Sequence, residues 1–264
     1  MTFTVSVIIV THNRPTYYLN RALSSVLSQT TLPKEIVIVD SGTEEHRSKT
    51  KEYLANLAEL PVKLTLVGDK IMSAPVARNL GASFCTGNYL GFLDDDDEWY
   101  PEKLSSQLGV STGAPAIIYS PYIEETEENS IKYYWGAASY PDILARNLIG
   151  STSFPLINAE VFQEVNGFDP VFRTNQEWDL WIRILKKYDC VYSHALVGKK
   201  YDTGGLSADC ISRKEGWKTI FYKHRSEYSK NKKQHKKAVG LFFGEMKRRN
   251  NIAGVVMSIV EYFR

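Results

Sequence analysis

The first 120 residues alternate between two hydrophobic patterns. Short apolar runs bounded by turn-forming residues predict strands buried on both faces. These predicted strands are residues 5–10, 35–40, 62–67, 89–93 and 116–119. The segments between them have apolar residues at helical spacing, and they predict helices at residues 15–29, around 53–57, at 74–84 and at 101–108. Strands that alternate with helices predict an α/β fold with a mostly parallel sheet flanked by helices.

Beyond residue 115 the pattern is less regular. Residues 117–123 and 131–135 flank an acidic stretch, which predicts a hairpin with a solvated tip. Further predicted elements are a short helix at 142–148, a strand at 150–154 facing the ligand cleft, and a helix from Phe162 ended by Gly167. A helix near Glu177 follows, with a buried stripe of Trp178, Trp181, Ile182, Leu185 and Tyr188.

Five consecutive carboxylates, from Asp94 to Glu98, follow the fourth predicted strand. Most charge runs are solvated, so an acidic surface loop is one interpretation. Adjacent carboxylates also raise each other's pKa or recruit a cation. Their oxygens suit Mg²⁺ or Mn²⁺, and Mg²⁺ commonly binds one or two carboxylates together with a substrate's phosphates. The second interpretation is therefore a metal–diphosphate site.

Polar residues follow three of the predicted strands. Thr11, Asp40 and Asp94–Asp97 come directly after the first, second and fourth strands. Ligands of open α/β sheets bind outside the carboxyl ends of the strands, so these residues define a cleft. The sequence has neither a Gly-x-Gly-x-x-Gly dinucleotide fingerprint nor a Gly-x-x-x-x-Gly-Lys-Ser/Thr P-loop. Phosphates in this cleft would be held by metal and side chains.

Five stretches occur in a characteristic order. They are Val5-Ser-Val-Ile-Ile-Val-Thr11-His-Asn-Arg14, Ile36-Val-Ile-Val-Asp40-Ser-Gly, Ala77-Arg78-Asn79-Leu-Gly81, Phe92-Leu-Asp94-Asp-Asp96-Asp97-Glu-Trp and Glu177-Trp-Asp-Leu-Trp. Together they resemble the family 2 inverting glycosyltransferases of the GT-A fold, over about residues 5–190. The combination is specific for the family, but it gives almost no information about the substrate.

The resemblance implies a nucleotide-sugar donor, with UDP-, GDP- and dTDP-sugars as candidates, and Mn²⁺ or Mg²⁺ as cofactor. Asp94-x-Asp96 would be the Asp-x-Asp motif, with Asp96 a direct metal ligand and Asp94 a second candidate ligand. The residues that it assigns to donor binding are Thr11, Asn13, Arg14, Asp40, Arg78, Asp94 and Asp95. The implied acceptor is a glycan or a lipid-linked molecule.

The resemblance also points to a catalytic base. The family usually has the Asp of a Glu-Asp pair, and this chain has Gln176-Glu177 there, so Glu177 keeps the carboxylate with one more methylene. Thr174-x-x-Glu177 is also a capping-box pattern, so Glu177 could instead cap the helix. Asp179 is the reserve candidate, although its spacing from Arg183 predicts an ion pair on the helix surface.

The composition is that of an ordinary globular protein, with 43% apolar and 23% charged residues. No stretch approaches the roughly 20 apolar residues of a spanning helix, and no signal peptide is recognisable. Three widely spaced cysteines, Cys85, Cys190 and Cys210, fit a reducing compartment. We therefore expect a cytoplasmic protein.

The charge is unevenly distributed. Between Arg213 and Asn250 there are 13 Lys and Arg against three Glu, so with a net charge of +2 the first 212 residues carry −8. We expect a glycosyltransferase domain at 1–210, with a nucleotide-binding half at 1–115 and an acceptor and catalytic half at 116–210, followed by a basic helical region at 211–264.

The C-terminal region combines a basic run with an apolar helical stripe from Ile252 to Phe263. Such a pair predicts peripheral contact of residues 230–264 with the anionic cytoplasmic face of a membrane. The alternative is a helix that packs back on the domain beside solvated lysines. No nucleic-acid recognition motif accompanies the charge, so no nucleic-acid partner is expected.

Two other functions fit parts of the sequence. A sugar-nucleotide pyrophosphorylase has similar strand-end carboxylates, but it should carry a Gly-rich basic loop where this chain has Thr11-His-Asn-Arg-Pro15. A catalytically inactive carbohydrate-binding protein would fit the altered base, although the intact metal motif argues against it. The Gly-rich stretch 201–207 lies where the family often has a loop that closes over the donor.

Overall fold

The computed structural model describes residues 3–110, 113–125, 131–133, 137–203 and 209–262. For residues 131–133, 259 and 262 the description covers the backbone alone.

The strands form two sheets. They are β1 (Val5–Thr11), β2 (Glu35–Asp40), β3 (Lys63–Val67), β4 (Tyr89–Asp94), β5 (Glu98–Trp99), β6 (Ile117–Tyr119), β7 (Ile123–Glu125), β8 (Ile131–Tyr133), β9 (Leu156–Asn158), β10 (Cys190–Tyr192) and β11 (Gly198–Tyr201). The larger, seven-stranded sheet has the order β10-β6-β9-β4-β1-β2-β3. Its neighbours are parallel except at β9, which is antiparallel to β4 and β6. The predicted mostly parallel sheet is confirmed.

Helices cover both faces of this sheet. They are α1 (Thr16–Leu27), α2 (Glu44–Ala55), α3 (Ala74–Ser83), α4 (Lys103–Gly109), α5 (Ala159–Glu164), α6 (Gln176–Leu185), α7 (Cys210–Lys223), α8 (Arg225–Lys230), α9 (Lys232–Arg248) and α10 (Ile252–Tyr262). Successive β1 side chains enter two different cores, Val7 with Leu23 of α1 and Ile8 with Ala77 of α3. A strand covered on both faces is apolar throughout, which explains the continuous run at 5–10.

Helix α3 lies very close to β1. A Cβ at Gly81 would be only 2.5 Å from Ile8 Cγ2, so glycine permits this approach. The same helix carries Arg78 to the carboxyl edge of the sheet, where it meets Asp94.

The second sheet has the order β5-β11-β7-β8, and it corrects the predicted hairpin. Strands β7 and β8 do pair in antiparallel fashion. Residues 117–119, however, form β6 of the central sheet, and the run to Ile123 is interrupted at Pro121, which has no N–H for a continuous ladder. The predicted hairpin tip, residues 126–130, lies outside the described residues.

Two predicted elements before α5 are wrong. The predicted helix at 142–148 is a single 3₁₀ turn, Asp142–Leu144. The predicted strand at 150–154 is irregular, and the strand instead starts at Leu156. Gly150, with φ of 94°, turns the chain at this point.

The C-terminal helices extend one core of the domain. The predicted helical region at 211–264 contains a break at His224, which separates α7 from α8. Trp217, Phe221 and Phe242 join the core that contains the α6 residues Trp178 and Trp181. Helix α10 packs on α9, partly because Gly254 fits against Met246. Within the described part of the chain, no helix is both long and apolar enough to cross a membrane.

Candidate active site

The carboxyl ends of β1, β2 and β4 meet at one edge of the central sheet. The strand register pairs Thr11 with Asp40 and Val10 with Asp94. The Thr11 hydroxyl donates a 2.7 Å hydrogen bond to Asp95. The structure therefore brings together the polar positions that follow the three strands.

The acidic run is folded into the protein, so the interpretation as a solvated loop is wrong. Asp95 and Asp97 are only 4% and 2% exposed. Asp97 accepts hydrogen bonds from the Ser153 hydroxyl and from the Tyr201 amide. Burial raises the pKa of Asp95 to about 7 against the opposing effect of the Thr11 hydrogen bond. Burial, together with the charges of Asp96 and Asp94, raises the pKa of Asp97 well above its ordinary value.

Asp94, Asp96 and Asp97 form a candidate metal centre. One carboxylate oxygen of each lies within 4.8 Å of the others. Three carboxylates fit a hard divalent cation, because such ions prefer oxygen ligands. A cation there would also offset the mutual repulsion that raises the pKa of Asp97. The structure thus adds Asp97 to the predicted pair Asp96 and Asp94.

Two arginines lie against the acidic run. Arg14 Nη2 is 2.8 Å from Asp96, and its Nε is 3.4 Å from Asp95. Arg78 forms an ion pair with Asp94. Arg78 is 5% exposed, and its Nε and Nη1 have no hydrogen-bond partner among the described residues. Buried, unused guanidinium donors next to a metal centre fit an anionic ligand such as a diphosphate.

Asp40 and Asn13 belong to the loops that follow β2 and β1. Asp40 is 1% exposed and accepts a 2.9 Å hydrogen bond from the Gly42 amide. His46 lies 2.9 Å from both oxygens of Asp40, and its other ring nitrogen lies 2.8 Å from the carbonyl oxygen of Arg14. Asn13 accepts a 2.8 Å hydrogen bond from the Thr43 amide. These contacts join the two loops, which carry residues that the sequence assigned to donor binding.

Glu177 lies in the first turn of α6 and is partly buried. Asn175, with φ of 60°, occupies the N-cap position, and the Thr174 hydroxyl donates to the carbonyl of Ser212 instead of capping the helix. The capping-box prediction is therefore wrong. The side-chain nitrogen Nδ2 of Asn147 lies 3.4 Å from Oε1 of Glu177.

Glu177 lies near cations that also act on the acidic run. Burial raises the pKa of Glu177, while the charges of Arg213, Arg78 and Lys200 act in the opposite direction. Arg78 also forms an ion pair with Asp94, and Lys200 interacts electrostatically with both Asp97 and Glu177. The same cations therefore connect the metal candidates with the base candidate.

Asp179, the reserve base, is enclosed by ion pairs. It is fully buried, with Lys223 at 2.8 Å, His224 at 2.9 Å and Arg183 at 2.9 Å. The predicted pair with Arg183 is present, but it is buried and does not lie on the helix surface. Burial alone would raise the pKa of Asp179, yet His224, Arg183 and Lys223 outweigh this and lower it. The carboxylate is thus used to join α6 to α7.

Several residues of the site were not identified from the sequence. Asp97 had a signal, because it continues the acidic run. Lys200 and Arg213 had none, because they come from elements distant in sequence. The same holds for Thr203, whose hydroxyl contacts Asp96 and Arg14. Residues 204–207 of the Gly-rich stretch at 201–207 lie outside the described residues, so its closure over the donor stays a prediction.

Comparison with protein families gives an independent assignment. Residues 6–168 match the sequence profile of Glycosyl transferase family 2. An "uncharacterized glycosyltransferase" of Rickettsia felis is 30% identical over 201 residues, which is 69% of this chain and 31% of that protein. The "putative teichuronic acid biosynthesis glycosyltransferase TuaG" of Bacillus subtilis is 28% identical over 189 residues, covering 69% of this chain and 72% of TuaG. The chain thus spans about a third of the Rickettsia protein.

Comparison with solved structures identifies the fold. The crystal structure of S. aureus TarS 1-349 in complex with UDP-GlcNAc superposes with a TM-score of 0.70 at 13% sequence identity. The match covers 92% of this chain and 73% of the TarS chain. Together with the sheet order, this shows a GT-A-type fold.

Proposed function

Because the chain belongs to glycosyl transferase family 2, we propose that it is a metal-dependent inverting glycosyltransferase. It transfers a sugar from a nucleotide diphosphate sugar to an acceptor hydroxyl, in the synthesis of cell-surface glycans or lipid-linked oligosaccharides. Residues 1–115 supply the nucleotide-binding half and residues 116–210 the acceptor and catalytic half.

The observation that carries this proposal is the pairing of three clustered carboxylates with unused arginine donors. Asp94, Asp96 and Asp97 would hold Mn²⁺ or Mg²⁺, which would supply positive charge to offset the negative charge of the leaving diphosphate. Arg78 offers Nε and Nη1 to diphosphate oxygens. Arg14 and Asp95 complete this part of the donor site.

The nucleoside lies against the loops after β1 and β2. Thr11, Asn13 and Asp40 line this part of the donor site, and His46 keeps the two loops in register. UDP-, GDP- and dTDP-sugars are the candidate donors. The UDP-GlcNAc complex of TarS, a protein of the same fold, supports a uridine donor.

Glu177 acts as the general base. It removes the proton from the acceptor hydroxyl while that oxygen attacks the anomeric carbon opposite the diphosphate. The bond to the diphosphate breaks as the glycosidic bond forms, so the configuration inverts without a covalent intermediate. A positioned base contributes about 10²–10⁴-fold to the rate. The raised pKa of Glu177 makes it a better proton acceptor than an exposed glutamate.

The name of the Bacillus relative supports a role in cell-surface glycan synthesis. We also propose that residues 230–264 contact the anionic cytoplasmic face of a membrane. Helix α9 exposes Lys232, Lys233 and further basic side chains, and α10 exposes Ile252, Val256 and Val260 by 80%, 54% and 51%. This combination suits an interfacial helix pair.

Thermal denaturation with UDP, GDP, CDP and dTDP, each with and without Mn²⁺, tests the proposal. One nucleotide should raise the melting temperature in a Mn²⁺-dependent manner, because a ligand of the native state stabilises it. Asp96→Ala should remove the Mn²⁺-dependent part, whereas Glu177→Gln should keep it. An absence of any nucleotide response would refute the donor site.

A further inference from the structure

A groove lies between α9 and the irregular segment 137–148. It has a volume of about 590 Å³, which is in the range of ligand sites. Its lining consists of Ala137, Asp142, Ala145, Arg146, Leu148, Lys237, Gly240 and Leu241. We refer to it as the α9 groove. None of these residues belongs to the donor site described above.

The α9 groove combines an apolar surface with unused positive charge. Arg146 and Lys237 are exposed and make no hydrogen bond or ion pair within the described part of the chain. The acid of the groove, Asp142, accepts a 3.1 Å hydrogen bond from Gln234. Leu241 is 46% exposed although it is apolar. Free cations beside an apolar surface fit a ligand with an anionic group attached to a hydrocarbon chain.

The α9 groove is adjacent in the chain to the base. Asn147 lies between the groove residues Arg146 and Leu148. Its side chain points toward Glu177, with Nδ2 at 3.4 Å from Oε1. The orientation of Asn147 is fixed, because Oδ1 accepts from the amides of Ile149 and Gly150 and Nδ2 donates to the Gly150 carbonyl. One short segment thus contacts the base on one side and lines the groove on the other.

We infer that the α9 groove binds the lipid diphosphate of a lipid-linked acceptor, an inference that rests on the proposed function. Arg146 and Lys237 bind the diphosphate, and Leu148 and Leu241 contact the first part of the hydrocarbon chain. The sugar attached to the diphosphate then extends past Asn147 toward Glu177. The groove thereby selects acceptors that carry a phosphorylated lipid over free glycans.

Calorimetric titration with farnesyl diphosphate tests this inference. The titration is done in EDTA, so that the probe cannot bind through a metal ion at Asp94, Asp96 and Asp97. Arg146→Gln/Lys237→Gln should weaken binding by about tenfold or more, because hydrogen bonds to charged groups are lost. The matched control Lys232→Gln/Lys233→Gln removes the same charge from exposed positions outside the groove, and it should change the affinity by less than about twofold.

A third variant tests whether the apolar side chains of the α9 groove contact the hydrocarbon chain. Leu241→Ser should weaken farnesyl diphosphate by about fivefold or more and leave inorganic pyrophosphate unaffected, because only the first ligand buries hydrocarbon. Leu241 is half exposed, so the change should be tolerated by the fold. The UDP-dependent thermal shift of each variant reports whether the protein is folded.

Three results would overturn the inference: no binding of farnesyl diphosphate by the unmodified protein, equal weakening by both double variants, or equally tight binding of pyrophosphate. Such a result alongside normal Mn²⁺-dependent UDP binding would refute the groove alone. Loss of all nucleotide binding would instead refute the proposed glycosyltransferase function.

Discussion

Glu177 shows how the surroundings of one residue set its chemistry. It lies beside Arg213, Arg78 and Lys200, yet burial outweighs their charges and raises its pKa. Asp179, two residues later on α6, has a lowered pKa although burial opposes this, because the His224 ring, Arg183 and Lys223 contact its carboxylate directly. The same helix thus holds one carboxylate with a raised pKa and one with a lowered pKa.

Substitution and pH should identify Glu177 as the base. The transfer rate should fall as the pH is lowered through the pKa of Glu177, since only the carboxylate accepts a proton. Because this pKa is raised from 4.5, the acid limb of the kcat profile should lie above that pH. Glu177→Gln should reduce kcat about 10²–10⁴-fold and leave donor binding intact.

Glu177→Asp is the matched control, because it restores the family's usual side chain and should retain part of the activity. Steady-state transfer assays across pH provide the measurement. Near-normal turnover by Glu177→Gln would show that another group is the base.

The sequence indicated part of the site at the level of residues. Thr11, Asp40 and the acidic run could be placed because each follows a strand, and parallel strands bring their carboxyl ends to one edge. Which acids are buried could not be predicted, because burial of Asp97 depends on Ser153 and Tyr201 from distant segments. The position of Arg213 near Glu177 depends in the same way on how α7 packs.

At the scale of elements, α6 and α7 form a unit. Arg213 of α7 donates to Asn175 at the start of α6 and pairs with Glu245 of α9 at 2.8 Å. Lys223 and His224, at the other end of α7, hold Asp179. The surroundings of Glu177 are therefore formed in part by the C-terminal helices.

Neutralising Arg213 should change the pH dependence of transfer. Its charge lowers the pKa of Glu177, so Arg213→Met should raise that pKa and move the acid limb of the rate profile to higher pH. Lys218→Met, on the exposed side of the same helix, is the control and should leave the profile in place. An unchanged profile for Arg213→Met, in a folded variant, would contradict the proposed coupling.

Removing the Asp179 carboxylate should destabilise the protein. Asp179→Asn removes the negative charge that Lys223, Arg183 and His224 contact. Breaking a buried ion pair by removing one partner costs about 3–5 kcal/mol. Urea denaturation measures the difference. The more exposed Asp169, which also pairs with Lys223, is the control, and Asp169→Asn should cost about 1 kcal/mol or less.

The sign of the pH effect follows from the lowered pKa of Asp179. The stabilisation by the ionised Asp179 carboxylate is fully present above the pKa of the unfolded state, which is about 3.8. It is lost as the pH falls through the lower pKa of the folded state. The difference in stability between Asp179→Asn and the unmodified protein should therefore shrink below about pH 4. A constant difference across that range would argue against the ion pairs as its source.

Sequence patterns located most elements but not their partners. The runs at 5–10, 35–40 and 89–93 are long and apolar, and each is a strand of the central sheet. The three-residue strands β9 and β10 have no such signal, because their pairing depends on neighbours far along the chain. The predicted strand at 150–154 is wrong, and the Ser153 hydroxyl of this irregular stretch accepts from the Asp94 amide and donates to Asp97.

At the scale of the whole molecule, charge and function are separated along the chain. The acidic run and Glu177 lie in the part with net negative charge, whereas the lysines of α9 face solvent. An anionic surface would attract the second part and repel the first. Such a distribution would orient the enzyme on a membrane.

Sedimentation with vesicles tests the membrane contact. The protein should bind vesicles that contain anionic lipid more strongly than neutral ones. Binding should weaken as the salt concentration rises, because the Debye length shortens to about 3 Å at 1 M. Ile252→Asp/Val256→Asp should reduce binding. Val171→Asp, at another exposed apolar position, is the control. Equal binding to neutral vesicles would contradict the electrostatic contact.

The pairing of β4 has a consequence for how the protein is made. Strand β4 pairs with β1 on one side, and β1 has already been synthesised when β4 emerges. The strand on its other side, β9, follows more than 60 residues later, at Leu156–Asn158. An unpaired apolar strand edge invites wrong pairing and aggregation. The strand that ends in the acidic run therefore stays open on the ribosome until β9 emerges, and we expect the nascent chain to depend most on chaperones during that interval.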